Sequence, residues 1–387
     1  MKFFHTADWH LGKLVQGIYM TEEQRFVIHQ LIEAIDIEKP DAVIISGDLY
    51  DRAVPPMEAV NLLDELLAEI VLKRKTPVLS IAGNHDSPSR LNFGSKLMKD
   101  SGLYIVGQLT EELKSVILND EYGEVHFHLI PYADPSQVRH LFDDDTVTNH
   151  QEAMRRIVEE IDKTLDLTKR HVFVGHAFVT ARGQQEENTS DSERPLAIGG
   201  AEYVDAALFK NFCYTALGHL HQAHYVLNET IQYAGSPLKY SISEELHKKG
   251  YFIVELDQQG KVTVEKRLLV PNRDMRTIEG YMQDILHHPV SQDFVFVKLL
   301  DETPILSPME QIRTVYPNAM HVERKGFMSN TTNEKEQVSR RKTDDFTLFQ
   351  SFYTEVSGKE PSDETENLFK EILEGLMIEE REGGIKV

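Results

Sequence analysis

Five short apolar runs each end in a polar corner, and this repetition limits the fold more than any other feature of the chain. Thr76–Ala82 runs into Gly83-Asn84-His85-Asp86, Lys2–Thr6 into Ala7-Asp8-Trp9-His10-Leu11-Gly12, and Asp41–Ser46 into Gly47-Asp48-Leu49-Tyr50-Asp51. His171–Val174 leads to Gly175-His176, and Cys213–Leu217 to Gly218-His219-Leu220-His221. One such corner is an ordinary turn. Five of them after strands apolar enough for burial on both faces describe an α/β sheet whose ligands gather at the carboxyl edge.

Helical periods lie between the corners. Thr21-Glu22-Glu23-Gln24 has the form of a capping box, and Phe26, Ile28, Leu31, Ile32 and Ile35 follow it up to Pro40. Pro55-Pro56 opens a second helix, through Leu72, with Val60, Leu63, Leu67 and Val71 along one stripe. Residues 151–167 form a third. Val125–Ile130 alternates, and 224–234 and 249–270 read as hairpins. This first unit, 1–274, mixes α/β and antiparallel character. A small α/β module spans 275–326, predicted as helix 278–286, strand 294–300, helix 308–315 and strand 320–323. Residues 327–343 have linker composition. Residues 344–387 hold two amphipathic helices, around Phe346, Leu348, Phe349 and Phe352 and around Leu368, Phe369, Ile372, Leu373, Leu376 and Met377. They are too small for a core of their own, which leaves docking on another protein's helices or back on this chain.

The net charge of −22 argues against a broad basic face that wraps nucleic acid. Residues 344–387 supply −8 of it, from 12 acids and 4 bases. Carboxylates gathered around cations would add charge that bound metal offsets. Cys213, the single cysteine, excludes an intrachain disulfide and fits a reducing cytoplasm. No apolar run approaches the ~20 residues of a membrane span, and Lys2-Phe3-Phe4 begins the chain without a secretory h-region. With no Walker-type loop, the chain is not expected to hydrolyse ATP itself.

The strand ends together supply Asp8, His10, Asp48, Asn84, His85, His176, His219 and His221. Carboxylate, imidazole and amide oxygen form a ligand inventory for divalent transition metals, and eight groups suit two ions sharing a carboxylate. Asp8-x-His10, Gly47-Asp48-x-x-Asp51, Gly83-Asn84-His85-Asp86, Gly175-His176 and Gly218-His219-x-His221 resemble the five motifs of the calcineurin-like metallophosphoesterases, in family order. Thr6–Lys13, Ser46–Asp51 and Ala82–Ser87 narrow the resemblance to bacterial DNA-nuclease subunits that work with an SMC-like ATPase.

That resemblance implies a four-layer α/β/β/α core, a small α/β capping domain that contacts DNA, and a C-terminal helical pair that docks on the ATPase in a heterotetramer. It implies that Asp8, His10 and His221 hold one ion, that Asn84, His176 and His219 hold the other, and that Asp48 bridges. His85 would contact the scissile phosphate and stabilise or protonate the transition state, with manganese as the metal. Asp51 and Asp86 would orient loops or support ligands. The activity implied is ATP-dependent double-strand exonuclease and single-strand or hairpin endonuclease cleavage in replication and recombination, on the nucleoid in the cytoplasm, by a chain dimerising through its nuclease domain. The alternatives are a stand-alone phosphoesterase for small esters or cyclic nucleotides, and a scaffold with a decayed site.

Other polar residues carry plainer readings. His5, His126, His128, His171 and His224 read as packed or solvated histidines, Cys213 as an inert core residue, and Arg90 and Arg182 as surface arginines. Trp9 packs beside or lines the site.

Overall fold

The protein's structure, a computed structural model, describes residues 1–183, 190–193, 196, 202–324, 345–357 and 359–383. Four parallel strands come first: Lys2–Thr6 (β1), Ala42–Ile45 (β2), Val78–Ile81 (β3) and Leu103–Val106 (β4). A second sheet takes Val116–Asp120 (β5), Gly123–Ile130 (β6), Arg170–His176 (β7), Tyr214–Gly218 (β8), His224–Val226 (β9) and Asn228–Tyr233 (β10). The hairpin Gly250–Leu256 (β11) and Val262–Leu268 (β12) returns to the first sheet, β11 pairing antiparallel with β1. Spatial orders are β12-β11-β1-β2-β3-β4 and β9-β10-β8-β7-β6-β5.

Three apolar layers hold this arrangement, which is the four-layer α/β/β/α core expected. Helices Thr21–Glu38 (α1) and Met57–Ala68 (α2) bury Val27, Leu31, Leu62 and Leu66 on the outer face of the first sheet. Phe3, Ile44, Leu79, Phe127, Val172 and Tyr214 fill the space between the sheets. Helix His150–Asp162 (α3), capped by the Asn149 side chain, covers the second sheet with Met154, Ile157 and Ile161. Because β2, β3 and β7 are apolar on both faces, they take the sandwiched positions.

The module beyond residue 274 differs from its expected helix. Met275–Gly280 (β13) is a strand, parallel to Phe294–Leu299 (β14), which pairs in turn with Ala319–Arg324 (β15). Only Met282–Ile285 is helical there, because Gly280 ends the strand, whose Ile278 goes to the module's core while Met275 packs with Val15 and Met20 of the first unit. Pro308–Ile312 is the second helix, and Ile285, Val297 and Ile312 share one small core.

Helices Asp345–Ser357 (α4) and Asp363–Gly383 (α5) meet through Phe349 stacked on Phe369, with ring centroids 3.9 Å apart. α5 also lies against the short helix Pro88–Asn92 of the first unit. The linker 327–343 and the side chains of Leu376 and Met377 lie outside the described residues. Among those described, no helix is long and apolar enough to cross a membrane.

Candidate metal centre

The loops after β1 and β2 zip together at the carboxyl edge. Asp8 N–H donates to Gly47 O at 3.1 Å, His10 N–H to Asp48 O at 2.9 Å and Leu11 N–H to Leu49 O at 2.9 Å. Asp8, His10, Asp48 and His219 all have positive φ, at 53°, 44°, 51° and 109°. Such backbone costs a non-glycine residue of order 1–3 kcal/mol, a strain concentrated where side chains are aimed at a ligand. Gly47 has φ +90° as well, and a Cβ there would lie 2.4 Å from His176 Nδ1. At Gly83 a Cβ would meet Asp48 Oδ1 at 2.1 Å. Both glycines are needed for close approach.

Thr21 does not cap α1. It lies already within the helix, and Gln24 turns inward, donating to His10 O at 2.7 Å and accepting from Gly12 N–H at 3.1 Å. Asp86 braces the neighbouring corners, accepting from Leu49 N–H at 3.1 Å, Tyr50 N–H at 3.0 Å and Gly83 N–H at 2.9 Å. Trp9 is buried and donates to Thr6 Oγ1 at 3.0 Å.

Within these loops the candidate ligands converge. Asp48 Oδ2 lies 3.6 Å from His10 Nε2 and 3.4 Å from His176 Nε2, so its carboxylate stands between two imidazoles. Asp8 Oδ1 is 4.0 Å from His176 Nδ1, and Asp8, Asp48 and His176 each place one ligand atom within a common 4.8 Å. His176 Nε2 faces Asn84 Oδ1 at 2.9 Å, and His10 Nε2 faces His221 Nε2 at 3.0 Å. The His219 ring stands 5.5 Å from that of His176, and its main-chain N–H donates to Asp8 Oδ1 at 3.0 Å. His10, Asp51 and His85 form a second group within 4.8 Å, although Asp51 Oδ1 also pairs with Lys13 Nζ at 2.8 Å.

This donor set fits a cationic group. His176 Nδ1 is 2.9 Å from Ser46 O, which only accepts, so Nδ1 carries the proton and Nε2 turns a lone pair toward Asn84 Oδ1, another lone-pair bearer. Among the described residues, His10 Nδ1 and Asn84 Nδ2 are buried without a hydrogen-bond partner. Burial, then the neighbouring Asp48 charge, pushes the Asp8 carboxyl well above the usual carboxylate range. Burial holds His10 and His219 well below the usual imidazole range, so they are neutral and able to ligate.

His85 sits at the rim, half-buried. Its N–H donates to Asp48 Oδ1 at 2.9 Å, and its Nδ1 lies 2.8 Å from Asp51 O. Several residues here carry no motif. His221 Nδ1 lies 3.0 Å from buried Glu244 Oε1, and Glu244 pairs with buried Lys249. Ser192 Oγ reaches the same nitrogen at 2.8 Å. Of the histidines read as packed or solvated, His5 bonds Tyr214 Oη at 2.9 Å, His128 and His171 bond each other at 3.1 Å, and His224 stacks on Tyr233.

Residues 1–223 match the calcineurin-like phosphoesterase family, and residues 271–357 match the type 5 capsule protein repressor C-terminal domain. The SbcD component of the nuclease SbcCD from Staphylococcus saprophyticus subsp. saprophyticus is 35% identical over 383 residues, covering 98% of this chain and 99% of that protein. Among solved structures, TT1561 of Thermus thermophilus aligns with a TM-score of 0.38 at 10% identity, covering 68% of this chain and 98% of its own. A dimetal phosphatase from Danio rerio aligns at 0.39 and 13% identity, covering 70% and 97%.

Proposed function

The chain belongs to the calcineurin-like phosphoesterases and, within them, to the SbcD nucleases, and from that membership we propose that it is a manganese-dependent DNA nuclease working with an SbcC-type ATPase. Asp8, His10 and His221 hold one ion and Asn84, His176 and His219 the other, with Asp48 shared between them. Two divalent ions supply positive charge for the phosphorane-like charge build-up of phosphodiester hydrolysis.

The chain's own groups do the rest. Asp48 and the carbonyl of Asp51 hold His85 by its backbone and its Nδ1, so the ring is oriented before substrate arrives. From the rim, His85 contacts the scissile phosphate and stabilises or protonates the leaving oxygen. With SbcC and ATP, the activities are double-strand exonuclease and single-strand or hairpin endonuclease cleavage at DNA ends. α4 and α5 dock on SbcC, and the exposed apolar side chains Phe26, Met57 and Leu72 on and beside α1 and α2 favour a nuclease-domain dimer. The protein works in the cytoplasm.

The observation that carries this reading is the relationship over the full chain, which includes the C-terminal module as well as the centre. The test uses purified chain and Mn2+ on hairpin-ended DNA and on a bis-aryl phosphodiester, with and without SbcC and ATP. Hairpin cleavage that needs metal is the result expected. Diester hydrolysis with no hairpin cleavage under any condition would leave a stand-alone phosphoesterase instead.

A further inference from the structure

We infer that Glu244, held in place by Lys249, is the positioning residue for His221, fixing its ring so that Nε2 faces the metal cluster. The inference rests on the ligand assignment proposed above. His221 is held at its other polar atoms. Its main-chain N–H donates to Glu193 Oε1, and its carbonyl accepts from Lys249 Nζ at 2.9 Å. Its Nδ1 meets Glu244 Oε1 at 3.0 Å and, at 2.8 Å, Ser192 Oγ, whose own hydrogen is donated to Glu244 Oε1. A carboxylate only accepts, so Nδ1 carries the proton and Nε2 is left with its lone pair, 3.0 Å from His10 Nε2.

Glu244 is itself fully used. It has no exposed surface; Oε1 also accepts from Ser190 Oγ at 3.3 Å and from Ser192 Oγ, and Oε2 takes Lys249 Nζ. A buried carboxylate without a cation would be costly, and Lys249, also buried, supplies that cation while bonding Ser236 Oγ at 2.8 Å. The other ligands are held differently: His176 by the carbonyl of Ser46, and His10 with no hydrogen-bond partner for Nδ1 among the described residues. A carboxylate behind a ligating imidazole fixes tautomer and angle and raises the ring's basicity. The turn that carries it, Ile242–Glu244, is also tied to the C-terminal module, because the next residue, Glu245, accepts from Thr277 N–H of β13 at 3.1 Å.

The experiment titrates Mn2+ into the metal-free full-length chain, following unbound Mn2+ by electron paramagnetic resonance. The parent chain should bind two equivalents. In Glu244→Gln the amide must turn its NH2 toward either Lys249 or His221 Nδ1, and one equivalent should weaken roughly ten- to a hundred-fold. Lys249→Met should weaken the same equivalent. Both equivalents at parental affinity in a folded Glu244→Gln chain would overturn the inference. A parent chain that binds no Mn2+ would instead sink the ligand assignment. Should the variants not fold, long-range 1H–15N spectra of the metal-free parent decide: the Nδ1–H tautomer of His221 is expected, and the Nε2–H tautomer would refute the role of Glu244.

Discussion

At the scale of single residues, neighbours in one corner make different contacts. Asn84 turns its amide oxygen onto His176, whereas His85 stands half-buried at the rim on the backbone of Asp51 and the carboxylate of Asp48. His85→Gln should therefore keep both ions while lowering hydrolysis about 100- to 10,000-fold, measured as metal content beside diester turnover. Loss of metal in that variant would contradict the assignment. Buried histidines outside the centre set a pH limit. Burial pushes His5 and His128 down to about 3, below their ordinary value near 6.5. A lowered imidazole makes folding favour the neutral form, so stability is full above about pH 6.5 and falls as acid must charge each ring. By pH 5 each should cost about 2 kcal/mol, visible as a falling denaturant midpoint. His5→Asn, which cannot take up the proton, should flatten part of that slope.

Strand-to-loop corners are the elements that build the candidate centre, and Asp86 joins two of them through the main-chain N–H groups of residues 49, 50 and 83. Asp86→Ala strands three main-chain donors, two of them buried. Stability should drop by about 3 kcal/mol or more, read from urea unfolding, with weaker Mn2+ binding in the same variant. Wild-type stability would show the brace to be idle. The corners themselves were legible, since a both-faces-apolar strand and a polar turn are local patterns. The capping box at Thr21 was not decided locally: Gln24 is drawn inward by the carbonyls of Trp9 and His10 and by Tyr240 Oη, partners that exist only after folding. The strand β13 reads locally as helix for a similar reason. Its partner β14 lies about 20 residues on, and pairing with it outweighs a short helical period.

At the scale of the molecule, two packed sheets bring distant segments to one edge, while the C-terminal helices form a pair of their own beside Pro88–Asn92. Deleting residues 344–387 should spare metal-dependent hydrolysis of a small diester and abolish co-purification with SbcC. Persistent co-purification would place the partner's contact elsewhere on the chain.

The sequence alone determined the α/β alternation, the order of the corners and the inventory of candidate ligands, because each is written in residues next to one another. Tertiary structure alone decided how those candidate ligands are held. Ser46 lies 130 residues from His176, and His10 lies 211 from His221. Glu244 and Lys249 belong to no corner, and nothing in their neighbours marks them. Hydrogen bonds to a buried ring are chosen by which strands lie side by side, and that register is a property of the folded sheets rather than of any short stretch of chain.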